Sequence, residues 1–169
     1  AFMSLLNIGF LSEAINEKGI LSPEKILNYA REQLIESVSK EGQRDGFDGV
    51  LICMEEGSNT IEYASAHNSP ILIRNKALVE LPYDKMPVGF NENTVSFNLH
   101  SIDVEKGDTI YLFTDGFADQ FGGIKGKKFM YKQLKKLLTD ISSVPLEEQK
   151  QKLTGALNNW KGDLEQVDD

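Results

Sequence analysis

The feature that most constrains the fold is a run of short apolar segments in the middle of the chain, separated mainly by tight turns. These segments predict strands at residues 50–54, 61–64, 71–73, 77–81, 95–99 and 109–113. Consecutive strands with such short connections are expected to pair antiparallel, since parallel pairing needs a crossover of about a dozen residues.

Helical patterns flank the strands on both sides. Ser22 and Pro23 suit a helix start, and the apolar spacing that follows predicts a helix to about Lys40. Apolar stripes predict two more helices at residues 130–141 and 146–160, and the first eight residues also have helical character. This order predicts an α+β fold in which antiparallel sheets are layered with helices on both outer faces.

Three strand details can be tested directly. Residues 50–54 are apolar at every position, which predicts a strand buried on both faces. Residues 71–73 and 77–81 flank a short polar turn and predict a hairpin, while residues 95–99 alternate as a half-buried strand does. Residues 41–46 are polar and glycine-rich and predict a loop.

Composition limits the class of protein. The chain of 169 residues is 40% hydrophobic, which suffices for one domain with a core, and its 18 basic and 26 acidic residues give a formal charge of −8. This balance argues against a broad nucleic-acid or anionic-membrane surface. The single cysteine, Cys53, excludes an internal disulfide and a zinc site built on thiolates. No apolar run approaches a membrane span, so we expect a cytoplasmic segment, whose parent protein could be membrane-anchored through other segments.

The sharpest chemical pattern lies at residues 107–123, where an apolar strand ends abruptly in Thr114, Asp115 and Gly116. This arrangement places one carboxylate at the mouth of the sheet, and the glycine permits an unusual conformation or a close approach. Hard divalent cations prefer oxygen ligands presented in this way. The simpler interpretation is that Asp-Gly after a strand is an ordinary turn.

A second acidic pattern lies at Asp168 and Asp169. Acidic ends are usually just solvated, and alone this pair says little. Combined with Asp115 it gains weight, because a two-metal site needs carboxylates that converge from separate strand ends.

Several other residues invite a functional interpretation that the pattern does not favour. Residues 45–49 lack the ligand spacing of a calcium loop and predict a turn. Cys53 is expected to be a packed thiol, and His67 is expected to stabilise a turn rather than to contact substrate. His100 has no partner in the sequence. The basic residues at 125–128 could meet a phosphate, but a solvated loop is the favoured interpretation.

The motifs taken together resemble one family, the SpoIIE-type branch of the metal-dependent protein serine/threonine phosphatases (the PPM or type-2C superfamily). The match begins with the Thr-Asp-Gly segment and extends over the whole chain in the same order. The matching segments are residues 1–4, 64–70, 86–89, 107–116, 119–123, 126–129 and 166–169.

The resemblance implies two antiparallel sheets packed as a sandwich between helices, with two Mn²⁺ or Mg²⁺ ions at one edge. It implies that Asp115 and Asp168 bind metal and act in catalysis, with Asp169 the less favoured member of its pair. Asp119 and Gly116 would support the ligands without binding the metal. A water bridging the metals would attack the phosphorus of phosphoserine or phosphothreonine in line, with no covalent phosphoenzyme.

The chain also departs from the family pattern. The family's first metal aspartate, in an Asp-x-x-Gly-His-Gly segment, would lie just before Ala1, and a last strand would follow Asp169. We therefore expect residues 1–169 to be a single phosphatase-like domain truncated at both termini. A missing strand would leave backbone groups unpaired, which predicts lower stability or pairing with another chain, such as a homodimer.

Three functional hypotheses remain at this level. The first is dephosphorylation of a bacterial signalling protein of the anti-sigma-antagonist type, controlled by an upstream sensor domain on the same polypeptide. The second is a catalytically silent, phosphatase-like module that binds a regulatory protein. The third is an unrelated metal-binding α+β domain.

Overall fold

A computed structural model describes residues 2–38, 46–92 and 95–168 of the chain. The helices are α1 (Phe2–Asn16), α2 (Pro23–Val38), α3 (Gly116–Asp119), α4 (Tyr131–Ile141) and α5 (Leu146–Lys161). The strands are β1 (Gly46–Phe47), β2 (Gly49–Met54), β3 (Thr60–Ala66), β4 (Ile71–Arg74), β5 (Ala77–Glu80), β6 (Val88–Gly89), β7 (His100–Asp103), β8 (Thr109–Tyr111), β9 (Phe121–Gly122) and β10 (Lys127–Lys128).

These elements form two compact units, each made of two stretches of chain. Unit 1 comprises Ala1–Pro70 and Leu81–Lys106, and unit 2 comprises Ile71–Glu80 and Gly107–Asp169. The strand pairs within the described residues are antiparallel, as the short connections predicted, apart from one isolated parallel bridge between Ala66 and Asp84. Sheets with packed helices confirm the expected α+β class, while the expectation of a single domain stays a prediction.

Unit 1 is built on a three-stranded sheet in the order β2-β3-β7, with β1 and β6 paired separately. Helix α2 packs on this sheet, and α1 packs on α2. The helix begins where Ser22 and Pro23 predicted it. Its apolar face joins the strand side chains in one core cluster of Leu27, Ala30, Ala64, Ala66, Met86, Val88 and Phe97.

The expectation that residues 50–54 are buried on both faces is wrong. They form β2, which lies at the edge of its sheet and is only half-buried, with Met54 68% exposed. The central strand is β3, and its buried positions include Tyr63, Ala64 and Ala66. Leu51 of this strand packs against the core cluster of unit 1, while Met54 at its end is exposed, so an all-apolar run here does not mark a strand buried on both faces.

The expected strand at residues 95–99 is also absent, and the strand of this region is β7, which begins at His100. Phe97 is buried while Val95 and Leu99 are exposed, which explains the alternation without a sheet. The backbone N–H of Phe97 donates to Oδ1 of Asn28 at 3.1 Å, and Arg31 Nη1 donates to the carbonyl of Val95 at 2.8 Å. Side chains of α2 thus satisfy this segment in place of a strand partner.

Two expected loops have different outcomes. The expected turn at residues 45–49 is wrong for the described part, because Gly46 and Phe47 pair with Gly89 and Val88 as β1 and β6. Residues 39–45 lie outside the described residues, so the end of the predicted helix at Lys40 and most of the loop at 41–46 stay predictions.

Unit 2 is built on a sheet in the order β5-β4-β8. The predicted hairpin is confirmed, since β4 and β5 pair from Ile71–Glu80 to Arg74–Ala77. Helices α4 and α5 form at the predicted places, and α4 contacts β5. Their apolar stripes pack with the sheet in one core cluster whose buried members are Ile71, Ile73, Ala118, Phe129, Leu134 and Leu138.

The length and hydropathy of the helices show whether any of them could cross a membrane. Among the described residues, none of the helices is both long and apolar enough to cross a membrane.

Candidate metal-binding site

Strand β8, which leads to Asp115, is linked at its start to the neighbouring strand β4 by a charge pair. Asp108 accepts hydrogen bonds from Nε of Arg74 at 3.0 Å and from Nη2 at 2.6 Å, just before β8 begins. The carboxylate is 6% exposed, so this is a largely desolvated charge pair. It joins the end of β4 to the start of β8, next to the paired residues Ile73 and Thr109.

The last residue of β8, Tyr111, is hydrogen-bonded to helix α5. Tyr111 donates its hydroxyl proton to Oε1 of Gln149 at 2.6 Å, and the amide of Gln149 donates to the carbonyl of Val144. Burial raises the pKa of Tyr111. The expected buried strand to residue 113 is shorter than predicted: β8 ends at Tyr111, and Leu112 is exposed.

Asp115 lies three residues after Leu112 and immediately before the short helix α3. Its carbonyl accepts the N–H of Asp119 at 2.8 Å, so its backbone already belongs to the helical turn. Its side chain does not cap that helix and is exposed to solvent. The backbone of Asp115 is therefore fixed by the helical turn, and its carboxylate is exposed to solvent. A ligand role for this carboxylate stays a prediction.

The residues on both sides of Asp115 line a cavity of about 240 Å³. Thr114 and Gly116 form one wall, and Gln166 and Asp168 approach from the far end of the chain. Gly116 is buried and lines the cavity. The structure thus brings the two predicted acidic segments together, and Asp169 lies outside the described residues.

Gln120 holds these two segments together, a role that the sequence did not indicate beyond its place in the motif at residues 119–123. Its side chain is 0% exposed. Nε2 donates to the carbonyl of Glu165 at 3.0 Å, and Oε1 accepts the N–H of Val167 at 3.3 Å. Because a buried amide with both ends paired is costly to disturb, Gln120 fixes the segment that carries Asp168.

The backbone of Gln120 is held as firmly as its side chain. Its carbonyl accepts the indole N–H of Trp160 and the backbone N–H of Phe129, both at 3.0 Å. Next to it, Gly122 packs so closely that an added Cβ would lie 1.8 Å from the carbonyl oxygen of Trp160. The glycine at 122 is a packing requirement of this contact, which the sequence showed only as part of a motif.

Asp119 makes a contact that the resemblance did not imply. Its Oδ2 lies 2.7 Å from Nζ of Lys128 on β10, and both side chains are partly exposed. The pair links the end of α3 to the hairpin of β9 and β10. A supporting role for Asp119 beside the metal ligands stays a prediction.

The two histidines and the cysteine that the sequence analysis considered lie in unit 1. His67 adopts a left-handed conformation with φ of 53°, and its Nδ1 lies 3.1 Å from Oδ1 of Asp48 at the surface. His100 stacks on Tyr63 with ring centroids 5.0 Å apart, and its buried Nε2 has no hydrogen-bond partner within the described residues. Cys53 is a partly buried free thiol on β2.

Comparison with known families decides the assignment. The family model described as Stage II sporulation protein E (SpoIIE) matches residues 1–169. The chain belongs to the SpoIIE family. A comparison of this SpoIIE-family chain with curated proteins gives no match.

Solved structures of similar fold agree with the family match. The SiaA-PP2C domain of Pseudomonas aeruginosa has a TM-score of 0.87 and 25% identity, covering 99% of this chain and 66% of that one. The phosphatase domain of SpoIIE from Bacillus subtilis has a TM-score of 0.56 and 15% identity, covering 96% of this chain and 69% of that one. The SpoIIE-family chain therefore has a PP2C-like fold and spans about two thirds of the length of these domains.

The acidic side chains of the site have the donor chemistry for the divalent cations that the SpoIIE fold family implies. Asp115 is an exposed carboxylate, and Asp168 lines the cavity; both offer the oxygen atoms that Mg²⁺ and Mn²⁺ prefer. Within residues 2–38, 46–92 and 95–168, no group of three or more potential metal-binding side chains comes together. The chemistry of the two carboxylates suits a hard divalent cation, and their role as metal ligands stays a prediction.

Proposed function

We propose that this SpoIIE-family domain hydrolyses the phosphate ester of phosphoserine or phosphothreonine in a protein, using divalent cations. The observation that carries the proposal is the cavity where the segment around Asp115 meets Asp168. Asp168 lines this cavity, and Thr114 and Gly116, the two neighbours of Asp115, line it from a distant part of the chain. A cation site for phosphate chemistry needs carboxylates brought together from separate segments in this way. The fold shared with a SiaA-PP2C domain and a SpoIIE phosphatase domain supports it.

Asp115 and Asp168 would hold two Mn²⁺ or Mg²⁺ ions in the complete site. When bound, such ions supply a nucleophilic water of lowered pKa and neutralise charge on the phosphoryl oxygens. One of the solved SpoIIE phosphatase structures is described as Mn presoaked, which supports the choice of cation class. The chain's own contribution is to hold the carboxylates: Asp115 through the α3 turn and Asp168 through the grip of Gln120 on residues 165–167.

The proposed substrate is a phosphorylated bacterial signalling protein of the anti-sigma-antagonist type. The phosphatase activity itself would be controlled by a sensor domain on the same polypeptide as the phosphatase domain. The domain's exposed carboxylate at residue 115 is open to solvent and so can serve a protein substrate as well as a small one.

The test uses the full-length protein and a synthetic phosphoserine peptide, with release of inorganic phosphate measured as Mn²⁺ is titrated. Asp115→Asn and Asp168→Asn are expected to lower turnover by about 10²-fold or more, because each removes a charge that stabilises the transition state. The exposed Asp163→Asn on the same unit is the matched control and should retain full turnover. Thermal unfolding of all three variants should match the parent.

Two results would contradict the proposal. Unchanged turnover in Asp115→Asn would remove this residue from the cation site. A full-length protein that binds the phosphopeptide but releases no phosphate with either cation would favour the silent interaction module.

A further inference from the structure

The stretch from Gln120 to Thr139 differs in charge from the rest of the protein. It contains six lysines and no acidic residue, in a chain with 18 basic and 26 acidic residues overall. This stretch forms β9, β10 and most of α4. A third of the chain's basic residues is thus concentrated in one short segment, which gives a local positive field on an acidic protein.

Half of these lysines are already used within unit 2. Lys128 pairs with Asp119 at 2.7 Å, Lys135 with Glu80 at 2.7 Å, and Lys136 with Asp140. The other three, which are Lys125, Lys127 and Lys132, are exposed and make no ion pair within the described part of the chain. Their charges are available to an outside partner.

Apolar side chains are exposed among these lysines. Ile124 at the tip of the β9–β10 hairpin is completely exposed, and Phe121, Met130 and Tyr131 are each about half exposed or slightly less. Beside them lies an open groove of about 560 Å³ whose walls include Phe121, Lys127, Met130 and Trp160. A contiguous apolar surface rimmed by charge is typical of a protein-binding site rather than of a merely solvated loop.

The groove is preformed. Phe121 and Gly122 pair with Lys128 and Lys127 across the hairpin, and the N–H of Gly126 donates to the carbonyl of Gly123 at 3.1 Å. The hairpin is fixed below by the N–H of Gly123, which donates to the carbonyl of Trp160 at 2.8 Å. Binding of a partner would therefore not incur the conformational entropy cost of ordering the hairpin backbone.

The groove is also continuous with the candidate metal-binding site along the chain. Gln120 lines the cavity that contains Asp168, and the next residue, Phe121, lines the groove. Lys128 on the groove contacts Asp119, which ends the helix begun after Asp115.

We propose that the β9–β10 hairpin and the start of α4 form a docking surface for an acidic segment of the phosphoprotein substrate, and this rests on the proposed phosphatase function. The hairpin surface is defined by Phe121, Ile124, Lys125, Lys127, Met130 and Lys132. Its lysines pair with carboxylates of the partner, and its apolar residues receive apolar side chains between them. The acidic partner follows from charge complementarity, since no acidic side chain interrupts the segment.

The test measures binding by fluorescence anisotropy with the full-length protein in EDTA, so that it does not depend on turnover. The probe is a labelled phosphoserine peptide whose flanks alternate glutamate and leucine, and a second peptide replaces each glutamate by lysine. We expect the acidic peptide to bind about tenfold more tightly or better, with an affinity that falls as salt rises.

Variants locate the binding. Lys127→Glu and Lys125→Glu should each weaken binding of the acidic peptide about fivefold and reduce its salt dependence, and Ile124→Ser should weaken it at all salt concentrations. Lys150→Glu is the matched control, because this exposed lysine lies on α5 of the same unit and carries the same charge change. The control should bind as the parent does.

Each other outcome overturns the docking surface. Equal loss in Lys127→Glu and Lys150→Glu means that only net charge matters, and equal binding of both peptides means that charge does not select the partner. Tighter binding of phosphatidylglycerol vesicles than of the acidic peptide, lost in Lys127→Glu, would assign the surface to lipid.

Turnover separates this proposal from the one on which it rests. If the parent hydrolyses p-nitrophenyl phosphate with Mn²⁺, Lys127→Glu should keep that rate within about twofold while its kcat/KM on the acidic peptide falls. If no phosphate ester is hydrolysed while the peptide binding behaves as expected, the phosphatase function fails and the docking surface stands as that of a binding module.

Discussion

The side-chain amide of Gln120 donates a 3.0 Å hydrogen bond to the carbonyl oxygen of Glu165, 45 residues further along the chain. The same side chain accepts the N–H of Val167 at 3.3 Å. A single buried side chain therefore binds the backbone at Glu165 and at Val167, the residue just before Asp168. The position of the second candidate carboxylate depends on an amide that binds no metal.

Gln120→Glu should weaken cation binding without altering any metal ligand. The new carboxylate cannot donate to Glu165, and it places two acceptors against each other in a buried position, at a cost of about 1–3 kcal/mol. Residues 165–168 would then be held less firmly, and we expect the Mn²⁺ dissociation constant, measured by isothermal titration calorimetry, to rise about tenfold.

The exposed Gln151→Glu is the control for the added charge. It should change neither the Mn²⁺ affinity nor the thermal unfolding midpoint. An unchanged Mn²⁺ affinity in Gln120→Glu would show that the grip on residues 165–167 does not position the site.

Gly122→Ala should destabilise the protein strongly. The added Cβ would lie 1.8 Å from the carbonyl oxygen and 2.5 Å from the carbonyl carbon of Trp160, so backbone rather than a flexible side chain must move. We expect a loss of about 3 kcal/mol in the free energy of unfolding, measured by urea denaturation.

Gly155→Ala is the natural comparison, because it adds the same methyl group inside α5, where nothing lies within 4 Å. It should stabilise the protein by about 0.5–1 kcal/mol through helix propensity. Similar effects of the two substitutions would argue against the close contact at Gly122.

Asp108→Asn should lower stability by about 2 kcal/mol, because it leaves the guanidinium of Arg74 without its largely buried carboxylate. The exposed pair of Asp140 with Lys136 provides the control, since Asp140→Asn should cost less than about 0.5 kcal/mol. Chemical denaturation of both variants measures the difference. A loss in Asp108→Asn no larger than in Asp140→Asn would contradict the structural role of the inner pair.

Alkaline pH should destabilise the protein through Tyr63. Burial raises its pKa from 10.0 to about 12, so the folded state keeps a proton that the unfolded state releases. This contribution to stability is complete below pH 10 and is lost as pH rises from about 10 to 12, at up to about 1.4 kcal/mol per pH unit.

Tyr63→Phe cannot lose that proton, and so its stability should fall less steeply over this range than that of the parent. It loses the 2.9 Å hydrogen bond to the carbonyl of Pro82 and should start about 1 kcal/mol lower at neutral pH. Urea denaturation at several pH values measures both effects, with the exposed Tyr83→Phe as control. A gap between Tyr63→Phe and the parent that stays constant up to pH 12 would refute the assignment.

Local sequence patterns correctly predicted the elements that are determined by contacts between residues close in sequence. The hairpin of β4 and β5 and the start of α2 at Ser22 and Pro23 both depend on residues close in sequence. The α+β class followed from the order of such elements and the short turns between strands.

Long-range contacts explain what the patterns missed. Residues 95–99 alternate like a strand, but Asn28 and Arg31 of α2 satisfy their backbone, which no local pattern shows. Gln120 belongs to the motif at residues 119–123, but the motif does not show its structural role, because its long-range partners lie at residues 160–167.

The split of unit 2 into two stretches of chain affects the order in which the protein folds. Strands β4 and β5 can pair as soon as they are synthesised, but the third strand, β8, follows only after residues 81–106 have entered unit 1. Closing that longer loop costs roughly 2 kcal/mol more in chain entropy than closing the hairpin turn. We therefore expect the sheet beneath Asp115 to complete late, after a rate-limiting encounter of β4 with β8, and to set the overall folding rate.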